Sequence, residues 1–162
     1  MGDTGIIRDV ADLTEPDVLA HAVSYRIRLL QIASYKAFEQ KATGHGSAPR
    51  YFGMLKLVEA NPGITQTRLA EAIFLDRSSL VPILDTLTRE GWIERRKAPE
   101  DRRVRRVHLT PDGAQKLSAL EVEVRAHETA LTDGLSQEDK DRLLVLLDRL
   151  DTNLRRLHQD QA

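Results

Sequence analysis

The chain has 162 residues, and its 24 lysine and arginine residues against 25 aspartate and glutamate residues give a formal net charge of −1. This length suits one domain, or one compact subunit with two regions, with a core that needs no covalent support. The absence of cysteine excludes disulfides, cysteine-based zinc sites and thiol chemistry, and the five histidines show no metal-site spacing, so we expect no metal and no cofactor.

The charges are distributed unevenly along the chain. Residues 1–20 carry a net charge of −4, residues 21–88 carry +3, residues 89–106 carry +4 and residues 107–162 carry −4. The acidic start and its short apolar run are unlike a signal peptide or a membrane span, so we expect a soluble, cytoplasmic protein. A basic middle suits a polyanionic partner, although such a run can equally be a solvated face.

The first predicted helix follows an arm at residues 1–16. Apolar residues recur at helical spacing from Asp17 to about Lys41, which predicts one long amphipathic helix. A glycine-rich turn at 43–47 ends this helix. Pro49 suits the first turn of a short second helix, which stops at the Asn-Pro-Gly sequence of residues 61–63.

Two more short helices are predicted next. Thr65 is a natural N-cap for the first of them, because its hydroxyl can accept from free backbone amides two or three residues later. Asp76 can cap the second, which runs from Arg77 to about Glu90. Gly91 follows as a residue suited to the left-handed backbone that ends a helix.

A β-hairpin with a basic tip is predicted between residues 92 and 109, because apolar and polar residues alternate on both flanks of a turn-rich middle. Pro111 then opens a long helix that reaches about Asp133, and Ser136 caps a last helix. The last helix carries an apolar seam with alternating spacings of four and three, formed by Leu143, Leu147, Leu150, Leu154 and Leu157.

This order of elements predicts a mainly α fold with a small β-hairpin wing: a winged helix-turn-helix domain at residues 48–110, between helical regions at 17–47 and 111–162. In such a domain the second helix of the pair enters the major groove, the helix before it meets backbone phosphates, and wing arginines suit a narrow minor groove. A helix pair alone is common, but its combination with a basic hairpin favours DNA binding. The candidate DNA-binding residues are Thr65, Gln66, Thr67, Arg77, Ser78, Ser79, Arg102, Arg103 and Arg105, with Arg106 beside them on the hairpin.

The sequence resembles the MarR family of bacterial transcriptional regulators over about residues 17–158. The most specific segments are residues 75–95 and residues 100–113. The wing motif D-x-R of that family is matched by Asp101 and Arg103. The resemblance implies that Arg103 enters the minor groove, while Asp101 braces an arginine by a charge-assisted hydrogen bond.

The resemblance also implies a homodimer joined through the N- and C-terminal helices, with Leu143, Leu147, Leu150 and Leu154 at the interface. A two-fold dimer presents two recognition helices about one DNA turn apart, so the expected target is a pseudo-palindromic operator. Most relatives are repressors that lose DNA affinity when a small molecule binds between the dimer helices and the winged domain. Repression released by a ligand is therefore the expected function.

The missing cysteine excludes a thiol-oxidation sensor, which leaves a small organic effector or no effector. The resemblance places the pocket among the first long helix, the short second helix and the helix after the wing. Residues 49–61 and those after them resemble regulators of aromatic-acid breakdown, which favours an aromatic carboxylate or its acyl-CoA thioester. The candidate effector residues are Tyr25, Arg26, Ser34, Phe38, His45, Arg50, Tyr51 and Met54, each with a core or ion-pair role as the open alternative.

The sequence also bears on two other classes of function. No nucleophile elbow, phosphate-binding glycine loop or paired-carboxylate motif is present in the sequence, so we expect that the protein is not an enzyme. A winged-helix module that binds a protein partner without sensing an effector is the remaining alternative.

Overall fold

The structure is a computed structural model that describes residues 14–98, 101 and 104–159, with side chains described as far as residue 157. The chain forms two compact units, one up to Val124 and the other from Arg125 onward. The predicted fold class, mainly α with a small wing, is confirmed.

The helices and strands follow one another in the predicted order, with three more elements than predicted: a separate short first helix, a 3₁₀ turn and a short strand. The elements are α1 (Asp17–Ala20), α2 (Val23–Lys41), a 3₁₀ turn (Ala48–Tyr51), α3 (Phe52–Ala60), β1 (Ile64–Thr65), α4 (Gln66–Ala72), α5 (Arg77–Arg89), β2 (Ile93–Lys97), β3 (Arg105–Leu109), α6 (Pro111–Leu131) and α7 (Gln137–Gln159).

The single long helix predicted from residue 17 is wrong, because the chain breaks between α1 and α2. Ala22 adopts extended backbone with φ −83° and ψ 111°. The His21 amide and the His21 ring Nδ1 both lie within hydrogen-bond reach of the Asp17 carbonyl, which closes the first turn. Neither glycine nor proline marks this break, so the helical periodicity of the sequence runs through it unchanged.

The predicted starts of the last two helices are confirmed by their hydrogen bonds. The hydroxyl of Thr110 accepts from the Gly113 amide at 2.8 Å at the start of α6. At the start of α7, Ser136 and Asp139 form a reciprocal capping box, in which each side chain accepts from the other residue's amide at 3.1 Å. The hydrogen bonds from Ser136 lower the pKa of Asp139.

The sheet has three antiparallel strands in the order β1-β3-β2, one more than the predicted hairpin. The hairpin pairs Ile93 with Leu109, and β1 adds the pair of Ile64 with Val107. A two-residue strand is too short to show alternation, which is why the sequence did not indicate it. Its effect is to place the start of α4 beside the middle of β3.

One apolar core fills the first unit. The three inward leucines of α5 are fully buried, and each contributes roughly 1.5–3 kcal/mol relative to an exposed side chain. The buried cluster comprises Phe38, Ala42, Ala48, Met54, Leu55, Val58, Leu69, Ala70, Leu80, Leu84, Leu87, Trp92, Ile93, Val107, Leu117 and Leu120.

Two predicted apolar stripes stay exposed in the single chain. On α2, Val23 and Leu30 are 57% and 52% exposed. On α7, Leu143, Leu147 and Leu154 are 47%, 39% and 57% exposed. These unburied apolar side chains are the basis of the dimer proposed below. None of the described helices is both long and apolar enough to cross a membrane.

Candidate nucleic-acid interface

The N-terminus of α5 is fixed by a dense cap. The Asp76 carboxylate accepts from the Ser79 amide at 2.8 Å and from the hydroxyls of Ser78 and Ser79 at 2.5 and 2.8 Å. These hydrogen bonds, that of Ser78 first, lower the pKa of Asp76 to about 2 from its ordinary 3.8, because each favours the ionised carboxylate. The predicted cap is confirmed, and it carries a negative charge at neutral pH.

The cap decides what the start of α5 offers to a partner. Each serine hydroxyl has one hydrogen, and both hydrogens are directed at Asp76, so Ser78 and Ser79 offer oxygen lone pairs outward. Arg77 beside them is exposed and carries donors alone. A strong donor thus lies next to two acceptors on the exposed end of the helix.

The lowered pKa predicts how stability depends on pH. A carboxyl group with a depressed pKa in the folded state stabilises the fold above its unfolded pKa and loses that effect as the pH falls. We expect wild type to be more stable than Asp76→Asn at neutral pH, with the difference shrinking as the pH drops from about 4 towards 2. Urea unfolding measured across this range tests it. A difference that stays constant from about pH 6 to about pH 2 would contradict this role of Asp76.

The start of α4 differs from the prediction at one residue. Thr65 acts as the predicted N-cap, with its hydroxyl accepting from the Arg68 amide at 3.3 Å. Gln66 is only 6% exposed, so its side chain faces the interior, contrary to the prediction that it meets DNA. Thr67 and Arg68 are exposed. The first helical position of α4 is thus used for packing, and the next two positions face solvent.

The structure describes some of the candidate DNA-binding residues of the wing and leaves two others outside the described residues. Asp101 is exposed at the tip, and Arg105 is half-buried on β3, opposite Lys97. Arg102 and Arg103 lie outside the described residues, so their predicted contacts with DNA stay predictions. The same holds for the bracing role of Asp101.

Two arginines of β2 are paired with acids. Arg95 donates to the Asp85 carboxylate of α5 at 2.5 Å, and Arg96 donates to Glu94. The first of these ion pairs joins the wing to α5, and it reduces the free positive charge of the hairpin. Such exposed pairs contribute less than about 1 kcal/mol to stability. The sequence could not reveal this pairing, because it depends on how β2 packs against α5.

The candidate effector residues fall into separate groups. Phe38 and Met54 are 7% and 5% exposed and belong to the core. Tyr25, Arg26 and Ser34 lie half-buried on α2. Among the described residues, Nη1 of Arg26 is buried without a hydrogen-bond partner. A buried guanidinium nitrogen in that state costs free energy, which a bound anion would recover.

A second group lies around the 3₁₀ turn. The Arg50 guanidinium sits 5.5 Å from the centroid of the Tyr35 ring, and the Tyr35 hydroxyl donates to Glu39 at 2.8 Å. Burial first, and then the hydrogen bond to Glu39, raises the pKa of Tyr35. Tyr51 is half-buried nearby and packs against the core. The sequence prediction missed Tyr35, whose position off the apolar stripe gave no signal.

Polar contacts connect α6 to two earlier parts of the chain, the turn after α2 and the helix α3. Nε2 of His45 lies 2.9 Å from the Glu123 carboxylate. The His45 ring also lies near the Trp92 ring, with their centroids 6.4 Å apart and their planes tilted by 45°. Lys56 donates to Glu121 at 2.8 Å, and this hydrogen bond is the main reason that the pKa of Lys56 is raised. His45 therefore belongs to a polar cluster rather than to the group around Arg50. Within the described residues, no cluster of histidine and acidic side chains is placed to hold a metal ion.

Comparison with known proteins decides the family. A model of the MarR family matches residues 49–104. A protein of Thauera aromatica, described as a transcriptional regulatory protein for the hcr operon, is 35% identical over 143 residues, which cover 88% of this chain and 86% of that protein. The chain belongs to the MarR family.

Solved structures similar to this MarR-family chain include the transcriptional repressor CouR in two states. CouR bound to a 23-mer DNA duplex has 28% identity and a TM-score of 0.78, covering 86% of this chain and 99% of that chain. CouR bound to p-coumaroyl-CoA has 27% identity and a TM-score of 0.75, covering 85% and 96%. This chain is thus a MarR-family transcriptional regulator with the winged-helix fold.

Proposed function

We propose that this MarR-family regulator is a homodimeric repressor that binds a pseudo-palindromic operator and leaves it when a small organic acid or its CoA thioester binds. The observation that carries the DNA-binding part is the start of α5, where Arg77 and the two capping serines are exposed on a helix end beside a basic wing. The similar repressor CouR has been solved bound to a 23-mer DNA duplex, which supports DNA binding by this chain.

The exposed groups of α5 suggest what each half-site contains. Arg77 can donate two hydrogen bonds to O6 and N7 of guanine in the major groove. The lone pairs of Ser78 and Ser79 match the amino groups of adenine or cytosine, since the Asp76 cap takes up the hydroxyl hydrogens. We therefore expect a guanine next to amino-bearing bases. Thr67, Arg105 and the undescribed Arg102 and Arg103 would complete the DNA-binding surface.

The change Arg77→Ala tests this function. Loss of one bidentate base contact costs about 1–3 kcal/mol, so affinity for the specific site should fall about tenfold or more, while non-specific binding changes little. Arg89→Ala is the matched control, because Arg89 lies at the other end of α5 and bonds to Thr86. The measurement is a fluorescence-anisotropy titration, at several salt concentrations, with DNA from upstream of the protein's own gene.

DNA binding should also weaken steeply as salt rises, because phosphate contacts release counterions. Binding at low salt to no DNA at all would contradict the repressor and favour the protein-interaction module. Equal losses for Arg77→Ala and Arg89→Ala would place the base contacts elsewhere on the domain.

The dimer part of the proposal rests on the exposed stripes of the two long helices. We propose that residues 17–47 and 111–162 form the dimerisation region, that residues 48–110 bind DNA, and that residues 1–16 form an arm. The leucines of α7 then meet their counterparts in the partner subunit. A two-fold pair of recognition helices would fit a pseudo-palindrome.

The effector part rests on the cationic groups of α2 and the 3₁₀ turn. Arg26 holds a buried nitrogen without a partner, and Arg50 can form a bidentate pair with a carboxylate or phosphate. CouR, which is similar over most of this chain, has been solved with p-coumaroyl-CoA. We propose that an aromatic acyl-CoA or its free acid contacts Arg26, Arg50 and Tyr51, and shifts the dimer towards a state that fits DNA poorly.

Thermal shift with p-coumaroyl-CoA, p-coumarate and CoA tests the effector class. A ligand at about one hundred times its Kd stabilises the folded state by about 2.7 kcal/mol, which raises the melting temperature by several degrees. Arg26→Leu should abolish the shift, and Arg28→Leu, an exposed residue of the same helix, should keep it. No shift and no release of DNA with any of the three would rule out an aromatic effector of this kind.

A further inference from the structure

The turn at residues 43–47, which follows α2, contacts the C-terminal end of α5. The amide and the hydroxyl of Ser47 both donate to Oε2 of Glu90, at 3.1 and 2.9 Å. Glu90 ends α5, and its own amide donates to the Thr86 carbonyl at 2.9 Å. We propose that Glu90 is a positioning residue, through which α2 and its turn fix the orientation of α5 and thereby the separation of the two recognition helices in the dimer. This inference rests on the proposed function and names a contact that regulates it.

The contact between Ser47 and Glu90 is more directional than an exposed ion pair. Both residues are half-buried, and a carboxylate acceptor gives shorter and stronger hydrogen bonds than a neutral one. Two donors of one residue reach the same oxygen, so they fix the direction of the Glu90 side chain. Leu84 and Leu87 hold the same half of α5 by apolar packing, which has no preferred direction. Glu90 therefore adds the directional restraint at this end of the helix.

The position of Glu90 is unfavourable for an acidic residue in an isolated helix. The C-terminus of a helix carries partial negative charge, which favours a cation such as the neighbouring Arg89 and disfavours a carboxylate. A residue that conflicts with its local preference indicates a role set by the assembled fold. The two hydrogen bonds from Ser47 supply that role here, because they come from a residue 43 positions earlier in the chain.

The turn keeps its place without help from Glu90. It is flanked by Ala42 and Ala48, which are 5% and 0% exposed, and the Ala48 amide donates to the His45 carbonyl. On its other side, Nε2 of His45 lies 2.9 Å from the Glu123 carboxylate of α6. A turn anchored in this way moves together with the end of α2. Its contact with Glu90 then passes a displacement of α2 on to α5.

Gly46 brings the backbone of the turn close to the carboxylate. A Cβ at this position would lie 2.8 Å from Oε2 and 3.0 Å from Cδ of Glu90, and the φ of Gly46 is +57°. Gly44 has a similar backbone, with φ +88°, but a Cβ there would have no neighbour within 4 Å. Alanine at either position pays the same kind of backbone strain. Only at Gly46 would it also push the Glu90 side chain away from Ser47.

The half-site spacing of the operator reports the orientation of α5. In the proposed dimer, each recognition helix must meet its half-site about one DNA turn from the other. One base pair inserted between the half-sites moves them apart by about 3.4 Å and rotates them by roughly 35°. A dimer with firmly held helices should bind this altered operator much more weakly. A dimer whose α5 is released at one end should adapt to it at lower cost.

The test compares Glu90→Ala and Gly46→Ala with the control Gly44→Ala. The measured quantity is the ratio of affinities for the natural and the lengthened operator, obtained by fluorescence anisotropy with the site footprinted upstream of the protein's own gene. Glu90→Ala and Gly46→Ala should each lower this ratio by about fivefold or more, while Gly44→Ala keeps it. Gly46→Ala changes no charge, which separates positioning from the loss of a negative charge near DNA. Glu90→Gln keeps an acceptor oxygen and should recover part of the ratio.

Two further measurements show that the fold itself is unchanged. Trp92 is the single tryptophan of the chain, and its ring centroid lies 6.4 Å from that of His45 in the turn. Its emission maximum should be the same in wild type and Glu90→Ala. Urea unfolding of Gly46→Ala should resemble that of Gly44→Ala, because the end of a flexible side chain can move aside with little loss of stability.

The possible results separate this inference from the proposed function. Unchanged ratios in Glu90→Ala and Gly46→Ala, with wild type still discriminating between the operators, would overturn the role of Glu90 and leave the repressor intact. An equal loss in Gly44→Ala would also overturn it, since backbone strain alone would then explain the effect. Wild type that binds neither operator, or binds both equally, would contradict the dimeric repressor and this inference together.

Release of DNA by p-coumaroyl-CoA provides a second readout of the same contact. The proposed effector contacts Arg26 on α2, so its influence on α5 should weaken when Glu90 no longer meets the turn. Glu90→Ala should show the wild-type thermal shift with this ligand but a smaller loss of DNA affinity. An equal loss in both proteins would overturn the transmission through Glu90. A wild type that does not respond would contradict the proposed effector, and the spacing ratio alone then decides the role of Glu90.

Discussion

The change Leu147→Asp should convert the dimer into monomers and abolish binding to the operator. Leu147 lies in the middle of the exposed seam on α7, at 39% exposure in the single chain. In a two-fold interface the carboxylate is buried twice. Burying an unpaired polar group costs at least about 2 kcal/mol, so two copies weaken the dimer by about a thousandfold or more.

Thr152→Asp is the matched control for this prediction. Thr152 is exposed on the same helix, about half a turn away from the centre of the seam, and it receives the same charged side chain. Sedimentation velocity at micromolar concentration should show monomer for Leu147→Asp and dimer for Thr152→Asp. If Leu147→Asp stays dimeric and binds DNA like wild type, the seam is not the interface.

The second large effect is expected at Gly113, near the start of α6. A Cβ at this position would lie 2.0 Å from the Trp92 carbonyl oxygen and 2.9 Å from the hydroxyl of Thr110. The Trp92 carbonyl accepts from the Thr110 amide, so it belongs to the junction between the wing and α6 and cannot move freely. Gly113→Ala should therefore cost about 3 kcal/mol or more, a large part of the stability of a domain.

Gly53→Ala provides the contrast. Gly53 lies in the first turn of α3, and a Cβ there would have no neighbour within 4 Å. Because alanine is the better helix former, this change should be neutral or stabilise by up to about 1 kcal/mol. Urea unfolding of both variants measures the difference. Equal stability of the two would show that α6 does not pack against Trp92 as closely as described.

Most of the fold could be predicted from local chemistry in the sequence. The caps at Thr65, Asp76 and Thr110 are each set by a side chain and the amides two or three residues later, so a short stretch of sequence determines them. The hairpin followed from alternation, and the break after α2 from its glycines. These elements depend on neighbours in the chain, which the sequence displays directly.

The remaining features depend on residues far apart in the chain. The short strand β1 exists because β3 passes beside Ile64, and the inward side chain of Gln66 follows from that packing. The pair of Arg95 with Asp85 and the clearance around Gly113 likewise require the assembled domain. The break after α1 is different, since no glycine or proline announces it.

The candidate site divides in the same way. The residue types at the start of α5 were evident from sequence, but the direction of the serine hydroxyls was not, and that direction favours base amino groups as their partners. Among the effector candidates, sequence could not separate the core residues Phe38 and Met54 from the rest.

The central claim is that two copies of this chain bind one operator together. The most direct measurement is sedimentation equilibrium of the protein with a fluorescent duplex from upstream of its own gene, at low and at raised salt. The account predicts two chains per duplex at low salt and dissociation as salt rises. A complex with one chain per duplex, or no complex at low salt, would contradict it.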